Sequence, residues 1–524
     1  MTLGARDALL AAMLMPEFYP KPPSDVSHKE THISDLFFAG ERVYKVKKPV
    51  RFSFLDYSTL EKRRYFLQEE LRLNRRLAPS VYIGVLPITF DDLGWRLGGK
   101  AEPAEYCLVM RRLPEQRMLP FLLETGQVTP AMMRELAELL AQFHDQGEHA
   151  TGIDPQIYPE IVAQQWRDNL ADMEGFLGKG VDAQDFRNVD KFGSDFIKSH
   201  GELFTRRAQH GWIRDVHGDL HAEHVCFAPD GIQIFDCVEF EPCFRQCDLA
   251  AEIAFLTMDI EVRGGGGGLV ESFLTRYNEL LGDKEAHGLL PFWQCYRALV
   301  RAKVYLLRGP DGFAVADRYF RYAAQFSWRP LEPFLVMISG FTGSGKSTLA
   351  RALSGRTGIP TINSDSVRKV LAGQSGRQTV PFHEGIYSAA MTEKTYAQMA
   401  RTADKFLAER CAVILDATFL QRAQRQKIVR LAEKHRIQLL SIHCSASDEI
   451  TKQRLLQRAV AGTDVSDGRW EIYLKQKEIC EPIDELAADY RLDLNTDAST
   501  GTLVGECQRF IRARLAGNDQ ATAR

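Results

Sequence analysis

The sequence has no apolar run near the roughly 18–20 residues that a membrane-spanning helix needs, so a helical integral membrane protein is excluded. The short stretch "ALLAAMLM" is preceded by Asp7 and followed by "PEFYPKPP". A secretory signal needs a basic start and a small-residue cleavage site, and only Arg6 fits. The stretch reads as the first helix of a cytoplasmic protein. Ten cysteines over 524 residues do not make a disulfide scaffold. Cys226, Cys237, Cys243 and Cys247 cluster but lack the paired C-x-x-C hooks of zinc ribbons, and they read as buried free thiols. No internal repeat occurs. The one low-complexity spot, "RGGGGGLV" at 263–270, falls between helical patterns and reads as a flexible loop.

What is there is a chain too long for one hydrophobic core, so two or three domains are expected. Its 45% hydrophobic and 26% charged fractions are ordinary for a globular protein. The net charge of −3 hides an asymmetry. From Phe334 onward there are 27 Lys+Arg against 21 Asp+Glu, a basic part suited to an anionic substrate, while the preceding part is acidic.

Periodicity gives the elements. "SDLFFAGERVYKVKK" reads as a hairpin turning at Ala39-Gly40, and "TLEKRRYFLQEELRLNRRLAP" as a helix. "YCLVMRRLP" reads as a buried strand, and "TPAMMRELAELLAQFHDQG" as a helix capped by Thr129. "VHGDLHAEHV" (216–225) precedes two short strands, "HVCF" and "GIQIFD". At "SWRPLEPF" two prolines precede "FLVMISG", a continuous apolar run of the kind found in central parallel strands. "AVILDAT" and "IQLLSIHC" follow, separated by helical stretches, which predicts a doubly wound α/β domain over 334–524.

"GFTGSGKST" is G-x-x-x-x-G-K-[ST] at Gly340, Gly345, Lys346 and Ser347. Its glycines let backbone N–H groups surround phosphate oxygens, so Thr342, Gly343, Ser344 and Thr348 join the expected nucleotide-binding set. Lys346 would reach the β/γ-phosphates and Ser347 would ligate Mg²⁺. Asp416, closing the strand "VILD", can organise the same cation through its water shell. Asp365 and Arg368 form D-x-x-R in "NSDSVRKVL", and Arg454 and Arg458 lie one turn apart in "KQRLLQRAV". Asp365 as a helix cap and the two arginines as a solvated face are the plainer alternatives. This set resembles the small P-loop kinases: gluconate kinases, zeta toxins, chloramphenicol phosphotransferases and polynucleotide 5′-kinases. The resemblance implies Asp365 as general base on the acceptor hydroxyl, Arg368 steadying the acceptor, and Arg454 and Arg458 clamping the transferring phosphate. No aromatic platform for stacking bases is evident.

The first part carries a second constellation. "HGDLHAEHV…IQIFDCVEF" holds Asp219 in a loop, His224 five residues on, and Asp236 closing a strand. It resembles the aminoglycoside phosphotransferase family and its protein-kinase-like relatives, whose loop runs H-G-D-x-x-x-x-N before a strand ending in Asp. The resemblance implies Asp219 as catalytic base and Asp236 as metal ligand, with His224 at the second ligand position. It implies Lys45 on the nucleotide phosphates, Glu70 holding that lysine, "YCLVMRRLP" as hinge and Asp248 bracing the loop. Lys47 competes with Lys45, since both point to one face of a strand. His217 is expected to brace the loop by hydrogen bonds. Two departures stand out. His224 replaces the asparagine, and no G-x-G-x-x-G precedes Lys45. A zinc site on His217, His221 and His224 would need a helical segment, which Gly218-Asp219 opposes.

The expectation is therefore an α+β protein-kinase-like domain over 1–328 followed by an α/β P-loop domain over 334–524. Together they would form an ATP- and Mg²⁺-dependent phosphotransferase acting on a hydroxyl of a small molecule or a nucleic-acid 5′ end. The alternative is a regulatory fusion whose degenerate first domain gates the second.

Overall fold

The computed structural model describes residues 3–52, 55–92, 94–373, 388–461 and 469–516, apart from the side chains of Leu3 and of 458–461. The chain divides into two compact units. One comprises Met1–Gln184 with Gly193–Ala323, the other Asp185–Phe192 with Ala324–Arg524. Among the described residues no helix is long and apolar enough to cross a membrane.

The first unit is built on a six-stranded antiparallel sheet. Its order is Val26–Glu30, Ser34–Ala39, Arg42–Lys47, Pro103–Arg111, Tyr82–Asp91 and Gly94–Leu97. The hairpin Ser34–Lys47 pairs Ala39 with Arg42, so its turn is Gly40-Glu41, one residue later than the sequence pattern suggests. Gly40 takes a φ of 58°, which a glycine adopts without strain. Alternation sends Phe37, Tyr44, Val46, Ile88, Cys107 and Val109 to one face, where Leu9 and Met13 cover them. The apolar N-terminal run is thus core packing, on the helix Leu3–Met13. The opposite face, with Val43, Leu108 and Met110, packs on Leu67 of the helix Leu60–Asn74. That helix starts where the Thr59 hydroxyl accepts from the Lys62 N–H, at 3.3 Å.

The remainder of this unit is mostly helical, around the almost wholly buried helix Leu249–Val262. The glycine run behind it is not a loose linker. The Gly265 N–H donates to the Ile260 carbonyl at 2.9 Å, and a Cβ at Gly265 would lie 2.6 Å from the Leu123 side chain. The run includes a packed turn at Gly265, where the chain passes close to Leu123 and Ile260.

The second unit has a five-stranded parallel sheet, in the order Thr361–Asn363, Val413–Asp416, Phe334–Ser339, Gln438–Ser445 and Arg491–Asn495. Every residue of the central strand Phe334–Ser339 is buried. Phe334, Val336 and Ile338 meet Leu349, Leu353, Val504 and Ile511 on one face, while Leu335 and Met337 meet Met399, Leu407 and Ile428 on the other. Helices cover both faces, which is why the strand reads as continuous apolar rather than alternating. After the central strand the chain crosses to one edge, returns, and passes to the other side. The carboxyl end of Phe334–Ser339 is therefore a topological switch point, where such sheets bind ligands.

Candidate functional site

In the first unit the loop 216–221 is fixed from behind by Glu252, whose buried carboxylate accepts from the N–H of His217 at 2.8 Å and of Gly218 at 3.2 Å. Burial pushes that carboxyl up to about 7, with Arg297 and the two N–H groups pulling the other way. His217 is buried too, and burial holds its imidazole down to about 3. It donates through Nε2 to the Phe235 carbonyl at 2.8 Å, and its Nδ1 accepts from the Asp219 N–H at 3.3 Å. The loop is thereby hydrogen-bonded to the residue that follows the strand Gly231–Ile234 and precedes Asp236. Asp248, expected to brace this loop, instead caps the following helix and pairs with Arg207 through two contacts of 2.7 Å. The brace is Glu252, one turn further on.

Asp236 sits at φ 63°, a left-handed backbone that costs an aspartate about 1 kcal/mol or more. Its neighbours hold it there: its own N–H donates to the Tyr82 hydroxyl, and the next N–H to Asn74 Oδ1. Lys45 Nζ lies 2.7 Å from Glu70 Oε1 and 3.2 Å from Asp236 Oδ1. Burial works against that ammonium, yet Asp236, Glu70 and Glu239 outweigh it and raise its pKa well above the usual lysine value. Lys47, on the same strand face, turns into the interior instead, with Glu70 Oε2 at 2.9 Å, Glu239 Oε1 at 2.5 Å and the Tyr57 hydroxyl at 3.2 Å. Glu70 therefore serves both lysines. Asp219 lies beside His221 and His224, and Asp236 beside Lys45 and His224. Burial alone would push both carboxyls up, but these neighbours hold them well below the usual range.

In the second unit the loop from Gly340 to Gly345 leaves the central strand and opens the helix Lys346–Thr357. The buried Gln476 accepts from the Thr342 N–H at 2.8 Å, and Thr496 Oγ1 donates to the Ser344 carbonyl at 2.8 Å. Arg454 donates to Thr496 Oγ1 at 2.9 Å and to its carbonyl at 2.7 Å, close against Gly345. It belongs to the loop's wall rather than to a solvated helix face. The Arg458 side chain lies outside the described residues. Asp416 ends the strand beside the central one, and Asn363 donates to its Oδ2 at 2.7 Å. Its Oδ1 is buried and accepts no hydrogen bond from the described residues. With the Ser347 hydroxyl on the first turn of the helix, this carboxylate fits a water-coordinated Mg²⁺. Asn363, not Asp365, caps the helix Ser364–Leu371, and Asp365 Oδ1 instead holds Arg368 Nη1 at 2.6 Å.

Sequence reading missed Glu239, Glu252, Gln476 and Thr496. None carries a local motif, and each arrives through tertiary packing. Glu239, three residues beyond Asp236 in "DCVEF", was the most accessible of them.

A phosphate loop at the switch point of a parallel sheet, with a carboxylate ending the neighbouring strand, defines a kinase-like P-loop domain. The family model described as AAA domain matches residues 335–483. The uncharacterized protein Rv2004c of Mycobacterium tuberculosis (strain ATCC 25618 / H37Rv) is 32% identical over 448 residues, covering 84% of this chain and 87% of that protein. The chain belongs to the family of that protein. The 2-phosphoglycerate kinase of Methanococcus vannielii is 26% identical over 262 residues, covering 43% of this chain and 78% of that enzyme. Among solved structures, a gluconokinase from Sinorhizobium meliloti 1021 is 20% identical, with a TM-score of 0.27, covering 37% of this chain and 98% of that one.

Proposed function

We propose that the chain is a bifunctional ATP-dependent phosphotransferase, and that its second unit phosphorylates a hydroxyl on a small anionic acceptor. The observation that carries this reading is the buried Oδ1 of Asp416, on the strand beside the one that leads into the Gly340–Ser347 loop, which has no hydrogen-bond partner among the described residues. A buried carboxylate oxygen with no partner is costly unless a bound group completes it. The likeness to 2-phosphoglycerate kinase and the basic charge of this half support an anionic acceptor.

In this reading the N–H groups of Gly343, Gly345 and Lys346 at the helix start hold the β-phosphate, and Lys346 spans the β- and γ-phosphates. Asp365, oriented by Arg368, takes the acceptor's proton. The acceptor oxygen then bonds to the γ-phosphorus as the β–γ bridging bond breaks, and ADP leaves. Arg454, together with Arg458, offsets the charge on the transferring group. Ser347 and, through water, Asp416 would hold Mg²⁺, which would supply neutralisation of the phosphate charge. In the first unit Lys45, positioned by Glu70, meets the nucleotide phosphates, and Asp219 is the base toward a second acceptor. The kinase-like relationship of this unit rests on its hairpin, helix and hinge order and on the Lys45–Glu70–Asp236 cluster.

Labelled ATP offered against 2-phosphoglycerate, sugars, nucleosides, aminoglycosides and 5′-hydroxyl oligonucleotides tests the reading. Transfer to an anionic small molecule should fall by about 10²–10⁴ in Asp365→Asn, the usual worth of a general base. Labelling confined to oligonucleotides would move the acceptor to nucleic acid, and undiminished transfer in Asp365→Asn would remove the assigned base. One observation favours a second reading, in which the first unit senses rather than transfers: His224 occupies the amide position. Should Asp219→Asn leave every transfer intact, that regulatory reading replaces bifunctionality.

A further inference from the structure

The cation position of the first unit does not suit Mg²⁺. Mg²⁺ takes oxygen donors in near-octahedral array, and here the expected amide oxygen is replaced by an imidazole. The His224 Nδ1 donates to the Asp219 carbonyl at 2.8 Å, which leaves Nε2 as the nitrogen a cation could take. A ligand histidine is commonly fixed in this way, by a carbonyl on its other nitrogen. That Nε2 faces Asp236 Oδ2 at 3.5 Å, close to the about 3–3.5 Å between two donors that share one cation at about 2.1 Å. The other oxygen of Asp236 is taken by Lys45. Asp219 Oδ2 lies 3.8 Å from the other ring nitrogen, Nδ1, and both carboxylates remain partly open, at 39% and 47% exposure.

Charge points the same way. Lys45 and Lys47 are balanced by Glu70 and Glu239, which leaves Asp219 and Asp236 as an excess of two negative charges around His224. His221 completes a donor triangle with Asp219 and His224 whose ligand atoms lie within 4.8 Å. However, the Arg301 guanidinium stands 3.2 Å from its Nε2, so a cation is repelled from that side and drawn to His224 and Asp236.

We propose that His224 Nε2 and Asp236 Oδ2, with the Asp219 carboxylate adding negative charge nearby, form a mixed nitrogen–oxygen site that prefers a first-row transition divalent cation such as Mn²⁺ over Mg²⁺. The proposal rests on reading this cleft as a nucleotide-metal site, but its test does not depend on turnover.

The probe is Mn²⁺, added without nucleotide to full-length Ser347→Ala protein, so that the P-loop cation position is weakened. Binding is followed by electron paramagnetic resonance. One Mn²⁺ per chain is expected, showing electron spin-echo modulation from a directly bound imidazole ¹⁴N and resisting a tenfold excess of Mg²⁺. His224→Asn should remove the nitrogen signature while keeping a site that Mg²⁺ competes for, at least tenfold more effectively. Asp236→Asn should abolish binding, with a circular dichroism spectrum showing that the fold survives. Mn²⁺ bound without the nitrogen signature, or displaced equally by Mg²⁺ in both His224 forms, overturns the proposal. If the signature is present while Asp219→Asn leaves all ATP turnover intact, the site stands and the phosphotransfer reading of this unit fails.

Discussion

Glu70 accepts from two lysines with its two oxygens, and this separates roles that lie two residues apart on one strand. Lys47 is fully buried among Glu70, Glu239 and Tyr57, whereas Lys45 borders the cleft and touches Asp236. Removing Lys47 strands the Glu239 carboxylate in the interior and leaves Glu70 with Lys45 alone. Lys47→Met should destabilise the first unit by about 3–5 kcal/mol, the cost of breaking a buried pair from one side. Lys45→Met should cost less stability and should weaken nucleotide binding to that unit at least tenfold. Thermal melts and nucleotide titrations of the two variants check this. If Lys47→Met melts like the parent while Lys45→Met collapses, the assignment is reversed.

The loop 216–221 is an element whose shape depends on one backbone position. Gly218 takes a φ of 84°, and a Cβ there would lie 2.8 Å from the Phe244 carbonyl oxygen. Gly218→Ala should therefore move Asp219 away from His224 and lower any Asp219-dependent transfer far more than it lowers the melting temperature. Unchanged transfer in Gly218→Ala would show that the loop's position does not matter. Elements of this kind divide what the sequence makes legible from what it hides. The Gly340–Ser347 loop was readable because its donors are contiguous and the flanking strand and helix carry strong periodicity. The helices starting at Thr59 and Thr129 were readable from their caps and apolar spacing. The choice between Lys45 and Lys47 was not readable, because side chains two apart on a strand share a face. Glu70 and Glu239, from distant segments, separate them. The glycine run at 264–268 misled for a related reason: composition reports conformational freedom, whereas Leu123 packing against Gly265 is a tertiary fact.

Over the whole molecule, the match to the mycobacterial protein covers 84% of the chain, more than either compact unit supplies. The pairing of the two units is thus a property of the family and not of this chain alone. On the proposed reading each unit would have its own phosphate-directed lysine, Lys45 in one and Lys346 in the other, and its own carboxylate for a cation. If both are nucleotide sites, the chain should bind two ATP analogues, and each lysine should control one of them. Calorimetric titration with a non-hydrolysable analogue should give a stoichiometry of two for the parent chain. Lys45→Met and Lys346→Ala should each reduce it to one, and the double variant should bind none. Bound nucleotide should also raise the melting temperature of the unit that holds it, since a ligand that binds only the folded form stabilises it by mass action. A parent stoichiometry of one, abolished by Lys346→Ala alone, would leave the P-loop unit as the sole nucleotide site. The first unit would then be a domain that keeps the lysine–carboxylate frame of a phosphotransferase without its substrate.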